Sequence, residues 1–327
     1  MFDMPHELLQ KHEDEDLPLL LEQTVSRYLR SDAQIIALEP LAIGEHGGMS
    51  GAALARYRVT YHSLDGEANA VTLITKRAHL RERKVLALLS AQRQAVPFSH
   101  TLDLLTDEPR LLCQQDLSGD PDEQVSLDIV QREAERLARI HSANLDQAEA
   151  LSWLPRMNRS YFEEVIVADF HRQLAKAIER PGFVAEYADI ARQMEQAVDP
   201  FLATMEELRE DGPLTLIHGD MHNGNIRVHG GHPYFLDWEH ACYGPLYLDL
   251  PNHFMPADAL RYRDALAALG CDIPRERFLD RYQQAGRYVG FKYMGFLLHS
   301  WMNGWTDSLR GPLLDQLLHG GGAKSPA

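Results

Sequence analysis

The stretch HGDMHNGN, residues 218–225, sets a carboxylate at Asp220 and an amide at Asn225, and LDWE downstream adds a second carboxylate at Asp237. Between Asn225 and Asp237, NIRV and YFL read as short strands joined by HGGHP, whose glycines suit a tight turn. With the turn centred on Gly230 and Gly231, Asn225 lies opposite Leu236 and Asp237 falls beside Asn225 at the open mouth of the hairpin. Asp220 sits just upstream, on a glycine-interrupted approach to the same mouth. One amide and one carboxylate, with room left for waters or phosphate oxygens, are ligands that a hard Mg2+ ion accepts. The second carboxylate is then free to orient and deprotonate an attacking hydroxyl. Phosphoryl transfer needs this division of labour, because the transferring phosphate must be neutralised while the nucleophile is positioned.

Such a hairpin has to be carried by the rest of the chain. Residues 17–30 place Leu20, Leu21, Val25, Tyr28 and Leu29 at helical spacing. The period then changes: 33–43, 53–63 and 69–76 read as three strands, the last two joined by a turn at Asp65 and Gly66. Between the first two lies GEHGGMSG, residues 44–51, whose four glycines suit either a loop that closes over phosphates or a ligand-free hairpin turn. On the third strand Lys76 shares a face with Thr72 and Ile74, so a cation ends an apolar face. Residues 78–92 read as a helix with Leu80, Val85, Leu86, Leu88 and Leu89 on or near one side, and RLLCQQ, from Arg110, as a short strand that dissolves into a polar, glycine-containing stretch. From Ser126 onward the pattern is helical. Leu127, Val130, Ala134, Leu137, Ala138 and His141 form one stripe, on which His141 reads as a packed, hydrogen-bonded histidine. Further helical patterns cover 161–179, 187–208 and 256–318, and the tail GGGAKSPA reads as disordered.

At 327 residues with 45% hydrophobic content, two domains are expected. The three cysteines, Cys113, Cys242 and Cys271, are scattered and outside any Cys-x-x-Cys spacing, which suggests neither a disulfide framework nor a zinc site and fits a reducing cytoplasm. No stretch approaches the roughly 20 apolar residues of a membrane span. The net charge of -16 argues against a nucleic-acid partner and is read as a solvated surface.

HGDMHNGN resembles the H-x-D-x-x-x-x-N catalytic loop of the protein-kinase-like fold, in the H-G-D form typical of aminoglycoside phosphotransferases, choline kinases and related small-molecule kinases. LDWE resembles their metal-binding segment, and LYLDL, with Asp249, their downstream structural aspartate. The resemblance spans residues 35–250 and implies an α+β, bilobal fold with a small antiparallel β-rich N-lobe and a larger, mainly helical C-lobe. It implies a nucleotide-binding lobe over 1–112, a hinge over 113–119, a C-lobe over 120–320 and a tail over 321–327. Asp220 is then the catalytic base, and Asn225 and Asp237 hold Mg2+. Lys76 holds the nucleotide phosphates with Glu82 as its helix partner. In CQQDL, Gln114, Gln115 and Leu117 meet the purine, with a glutamine at Gln115 where a glutamate is common. Gly47, Gly48 and Ser50 belong to the nucleotide-positioning loop. The donor implied is ATP, with GTP left open, since the hinge reads purines chiefly through its backbone. His218 braces the loop backbone, His222 either lines the cleft or packs, and His229 and His232 flank the turn, exposed.

The acceptor implied is a hydroxylated small molecule such as an aminoglycoside, another antibiotic, an amino alcohol or a sugar. No A-P-E segment follows LDWE, which disfavours a protein substrate. A metallophosphoesterase is disfavoured because an upstream Asp-x-His pair is missing and Ile226, not a histidine, follows Asn225. A non-catalytic nucleotide-binding regulator is disfavoured because Lys76, Asp220, Asn225 and Asp237 are all present. Tyr288, Phe291, Tyr293, Phe296, Trp301 and Trp305 suit either helix core or an aromatic acceptor cleft.

Overall fold

The computed structural model describes residues 16–29, 34–43, 54–62, 66–117 and 127–321. The chain divides into two units, Met1–Ser118 and Gly119–Ala327.

Alternating side chains in the first unit build an antiparallel sheet. Its strands are β1 (Gln34–Leu41), β2 (Ala55–His62), β3 (Ala68–Ala78), β4 (Ser99–Thr101) and β5 (Arg110–Gln115), in the order β1-β2-β3-β5-β4. Helix α1 (Leu17–Leu29) lays Leu17, Leu20, Leu21 and Val25 against Tyr57, Val59, Tyr61, Leu73, Leu111 and Cys113. That spacing of threes and fours is one helical face, and each such side chain contributes about 1.5–3 kcal/mol on burial. Helix α2 (Leu80–Ala91) follows β3 directly. The expected helix and strands are all present, and Gly66 takes the left-handed conformation (φ 81°) that a turn residue there requires. The glycine-rich stretch with Gly47, Gly48 and Ser50 lies outside the described residues, as do Asp65 and the tail beyond residue 321.

The short β4 carries no periodic signal. Its His100 is 8% exposed and meets the Gln23 side chain of α1 at 3.1 Å. Burial, with Arg27 nearby, holds its pKa down to about 4. The unfolded chain therefore binds a proton that the folded unit refuses. Stability from this site is complete above pH 6.5 and declines as the pH falls toward 4, by on the order of 1–2 kcal/mol between pH 7 and pH 5. Urea titrations at those two pH values should show a loss larger by that amount in the wild type than in His100→Gln; equal losses in both would contradict it.

The second unit is mainly helical: α3 (Leu127–Ala143), α4 (Ala168–Ile178), α5 (Phe183–Gln196), α6 (Val198–Asp211), α7 (Pro256–Ala268), α8 (Arg275–Met302) and α9 (Pro312–His319). The pattern over 161–179 opens as a wide π-helical turn, Phe162–Val167, before α4. The helical pattern over 187–208 is carried by two helices, separated at Ala197. Pro200 explains the break: without an N–H it cannot donate to Gln196, but it is tolerated in the first turn of a new helix, where donors are unused. The stretch 256–318 likewise divides into α7, α8 and α9, punctuated by Gly270 at φ 98° and Pro274, then by Gly304 at φ 71° and Pro312. Helix α8, 28 residues long, is the spine of the unit, packed against α4, α6, α7 and α9.

Two small antiparallel pairs sit among these helices: β6 (Leu214–Ile217) with β9 (Cys242–Pro245), and β7 (Ile226–His229) with β8 (His232–Phe235). Gly230 and Gly231 both have positive φ (58° and 71°), as a two-residue hairpin turn of this hand demands. Cys113, Cys242 and Cys271 are all free thiols. Among the described residues no helix is long and apolar enough to cross a membrane.

Candidate active site

Strand β6 delivers the chain to His218, where a buried carboxylate takes over. Asp249 accepts the backbone N–H of His218 at 2.6 Å and of Gly219 at 2.8 Å, and its Oδ2 meets His141 Nε2 at 3.2 Å. His141 is tied in turn to the Tyr262 hydroxyl at 2.6 Å. Burial acts to raise the Asp249 pKa, but the hydrogen bonds from His141 and from the His218 backbone N–H outweigh it and hold the carboxyl below the usual range. Gly219 sits at φ 76°, and a Cβ there would lie 2.5 Å from the His240 carbonyl oxygen, so only glycine fits between His218 and Asp220.

His218 is fully buried and meets the Leu236 carbonyl through Nε2 at 2.6 Å, with its ring 4.6 Å from that of Trp238. A carbonyl can only accept, so Nε2 carries the proton and Nδ1 accepts the Asp220 N–H at 3.3 Å. Burial pushes the His218 pKa down, in keeping with this neutral ring. The histidine thus braces the start of the loop against the end of the hairpin.

Asn225 donates its amide N–H to the Asp220 carbonyl at 2.9 Å and to Asp220 Oδ2 at 3.3 Å. Its amide oxygen is thereby turned away from Asp220. The Leu236 N–H donates to the Asn225 carbonyl at 2.8 Å, so Asn225 lies opposite Leu236 as the hairpin register requires, and Asp237 is the next residue. Asp237 adopts a left-handed backbone conformation (φ 59°, ψ 64°) that side chains other than glycine rarely take. The buried Trp238, whose indole N–H donates to the Phe235 carbonyl at 3.1 Å, anchors the residue that follows. Strain of this sort persists where the surrounding structure over-determines it, often at functional sites. An amide oxygen and a carboxylate at one hairpin mouth are a hard-oxygen donor set that fits Mg2+. Among the described residues no group of three or more His, Cys, Asp or Glu side chains is spaced to hold a metal ion.

The Asp220 carboxylate is gripped from a quarter that the motifs do not reveal. From α8, Lys292 Nζ reaches Asp220 Oδ1 at 2.5 Å and also donates to the Gly219 carbonyl, and the Tyr293 hydroxyl donates to the same Oδ1. The Tyr288 hydroxyl donates to the Gly219 carbonyl at 3.0 Å. On the other side, His222 accepts the Gly224 N–H through Nδ1 and turns Nε2 to within 3.6 Å of Asp220 Oδ2. Burial tends to raise the Asp220 pKa, but His222, Lys292 and Tyr293 together hold it far below the usual carboxylate range. The loop has two further struts: Asn252 donates to the Met221 carbonyl at 2.9 Å, and His253 joins Asn223 (2.7 Å) to the buried Glu133 (2.9 Å). Sequence reading left Lys292, Asn252 and His253 unassigned and grouped Tyr293 with the aromatic residues. The usable signal was a lysine one helical turn beyond Tyr288, on the buried side of an aromatic-rich helix. Of that aromatic group, Tyr288 and Phe291 are core, whereas Phe296 and Trp305 are 50% and 68% exposed. His229 and His232 are exposed.

In the first unit, Lys76 Nζ on β3 meets Glu82 Oε1 in the first turn of α2 at 2.8 Å, with side-chain exposures of 13% and 2%. The pair joins a strand to a helix and is not a surface i,i+4 contact. Gln114 pairs with Ile74 on one side and Ser99 on the other. The Gln115 N–H donates to the Phe98 carbonyl and that of Asp116 to the Thr72 carbonyl, whereas the Leu117 N–H has no partner among the described residues. Arg56 fixes the Asp116 carboxylate at 2.6 Å.

Residues 50–297 match the model of the phosphotransferase enzyme family. A search of curated proteins gives no match. Among solved structures, the chain is similar to the Plasmodium vivax ethanolamine kinase Pv091845 (14% identity, 95% of this chain and 91% of that one, TM-score 0.54). It is also similar to spectinomycin phosphotransferase APH(9)-Ia in its AMP-bound complex (14% identity, 78% and 87% covered, TM-score 0.52). A third is the macrolide 2'-phosphotransferase MphH from Brachybacterium faecium (17% identity, 87% and 93% covered, TM-score 0.50). At these identities the likeness is one of fold, an α+β architecture with a β-rich N-terminal part and a helical C-terminal part.

Proposed function

Because the chain belongs to the phosphotransferase enzyme family, we propose that it moves the terminal phosphate of ATP, or of GTP, to a hydroxyl group of a small molecule in the cytoplasm. The observation that carries this reading is the hairpin mouth, where Asp220 stands beside an Asn225 whose amide nitrogen is already committed, next to Asp237. In the reaction the acceptor's hydroxyl oxygen forms a bond to the γ-phosphorus as the bond from that phosphorus to the bridging oxygen breaks. The nucleoside diphosphate leaves with the electron pair, and the hydroxyl proton passes to Asp220. Asn225, through its oxygen, and Asp237 hold Mg2+, which supplies charge neutralisation on the phosphates when bound. Lys76, fixed by Glu82, receives the nucleotide phosphates, and the Leu117 N–H together with the backbone at Gln114 and Gln115 receives the purine. By the family resemblance, Gly47, Gly48 and Ser50 are assigned to nucleotide positioning.

The acceptor class proposed is supported by the family and by the chemistry named for proteins of the same fold, which include an ethanolamine kinase and spectinomycin and macrolide phosphotransferases. A screen of hydroxylated antibiotics, amino alcohols and sugars for ADP release tests it. Labelling of protein substrates alone would overturn the small-molecule assignment and leave the phosphotransferase one standing.

The metal assignment predicts that Asp237→Ala weakens Mg-ATP binding by at least about tenfold while leaving metal-free ATP binding little changed, since only the metal-linked part of the interaction is lost. Calorimetry with and without magnesium measures both; equal Mg-ATP affinity in wild type and variant would remove Asp237 from the metal site.

A further inference from the structure

Lys292 has no other task in the reaction, yet its ammonium, on a side chain only 13% exposed, is aimed at the one carboxylate that takes the proton. Its Nζ spends two donors, on the Gly219 carbonyl and on Asp220 Oδ1. Burying an ammonium group is costly unless it is paired and hydrogen-bonded, so the position is one that the fold maintains against a penalty. Tyr288 and Lys292 are one helical turn apart and meet the same carbonyl, while Tyr293 joins Lys292 on Oδ1. The two carboxylate oxygens are therefore unequal. Oδ1 is held by an ammonium and a phenol, whereas Oδ2 has only the Asn225 amide at 3.3 Å and His222 at 3.6 Å.

We propose that Lys292 is a positioning residue for phosphoryl transfer, fixing the Asp220 carboxylate through Oδ1, with Tyr293, so that Oδ2 is the atom that takes the acceptor's proton. The proposal rests on the function assigned above. In the step concerned, the acceptor oxygen bonds to the γ-phosphorus, the diphosphate departs with the electron pair of the broken P–O bond, and the proton moves from the acceptor oxygen to Oδ2. Lys292 exchanges no proton and touches no substrate. Its work is to remove the rotation of a short side chain that must meet a hydroxyl at hydrogen-bonding distance in one orientation.

The test compares wild type, K292M, K292R, Y293F and D220N, using Mg-ATP with the acceptor that releases most ADP in the screen, or with water as acceptor where none does. Misplacing the base by a fraction of an ångström to an ångström is worth on the order of 10²-fold, so K292M should lower kcat by about that factor with KM for ATP and calorimetric affinity for Mg-ADP within about twofold of wild type. K292R, which keeps a cationic donor, should recover at least about tenfold of the loss, and Y293F should fall between K292M and wild type. An unchanged kcat in K292M overturns the proposal. So does a loss that appears equally in Mg-ADP affinity, which would put Lys292 on the nucleotide phosphates, and so does a failure of K292R to recover any rate. Should K292M melt below the assay temperature, Y293F carries the test, because it removes a single donor to Oδ1: a lower kcat at unchanged affinity supports the proposal and an unchanged kcat overturns it. D220N separates the two levels of inference. If D220N turns over like wild type, the proton acceptor itself is wrongly assigned; if D220N is inactive and K292M is not, only the role of Lys292 falls.

Discussion

Asp220→Asn is expected to lower phosphoryl transfer by on the order of 10² to 10⁴ while Mg-nucleotide affinity stays near that of wild type, the range that a positioned general base contributes. The surroundings of the side chain make the outcome sharper than for an isolated carboxylate. Oδ1 accepts from Tyr293 and from the Lys292 ammonium, which can only donate, so the amide oxygen of the variant must take that place. Its NH2 group is then forced into the position of Oδ2, facing the Asn225 amide nitrogen. An incoming hydroxyl would meet a donor where wild type presents an acceptor, so both proton transfer and orientation fail together. Of the metal ligands, Asp237 keeps its carboxylate, and Asn225 keeps its shorter bond to the backbone carbonyl of residue 220 at 2.9 Å, so nucleotide binding is spared. Turnover and Mg-ADP affinity measured on one preparation decide it: unchanged turnover would refute the base assignment, and a parallel loss of affinity would move Asp220 into the metal shell.

What the sequence revealed of this site, and what it hid, follows the range of the interactions. The hairpin was legible because its register depends on four adjacent features, two strands and two glycines, and the structure pairs Ile226 with Phe235 and Asn225 with Leu236 accordingly. The sheet and α1 were legible because burial on one face imposes a period of two or of three and four on neighbouring residues. The break at Ala197 was missed because an apolar period continues across it, and only Pro200 records the restart. Lys292, Tyr293 and His253 were out of reach for a different reason. They meet the loop across 30 to 73 residues of chain: His253 lies in a turn with no period, and the spacing that puts Lys292 one turn beyond Tyr288 on the long helix does not say which carboxylate it meets. The short β4 belongs to the same class, since three residues cannot show a period, and its His100 is defined by the burial that α1 imposes.

Asp249→Ala is expected to destabilise the second unit by about 3–5 kcal/mol, as for the loss of one partner from a buried charged network. Two backbone N–H groups, of His218 and Gly219, would lose their acceptor in the interior, at about 1–3 kcal/mol each when no water reaches them. His141 would keep Tyr262 and lose the carboxylate. For a unit of this size such a change lowers the melting temperature by roughly 10 °C or more. The effect has a defined pH dependence. Burial works to raise the Asp249 pKa, but its histidine neighbours hold the folded value below the ordinary one, so the carboxylate's stabilisation is present in full above the unfolded pKa near 4 and is lost as the pH falls through the folded value. The difference between wild type and Asp249→Ala should therefore be constant from about pH 6 to 8 and shrink only below about pH 4. Thermal melts across that range measure it, and a variant melting within about 2 °C of wild type at pH 7 would show that the loop's N–H groups find another acceptor. Activity should fall with stability but not in proportion, because the two N–H groups that Asp249 holds belong to the residues immediately before Asp220. A loop freed at His218 and Gly219 would loosen the carboxylate even in the molecules that remain folded, so at a temperature where both proteins are fully folded, Asp249→Ala should still turn over more slowly than wild type.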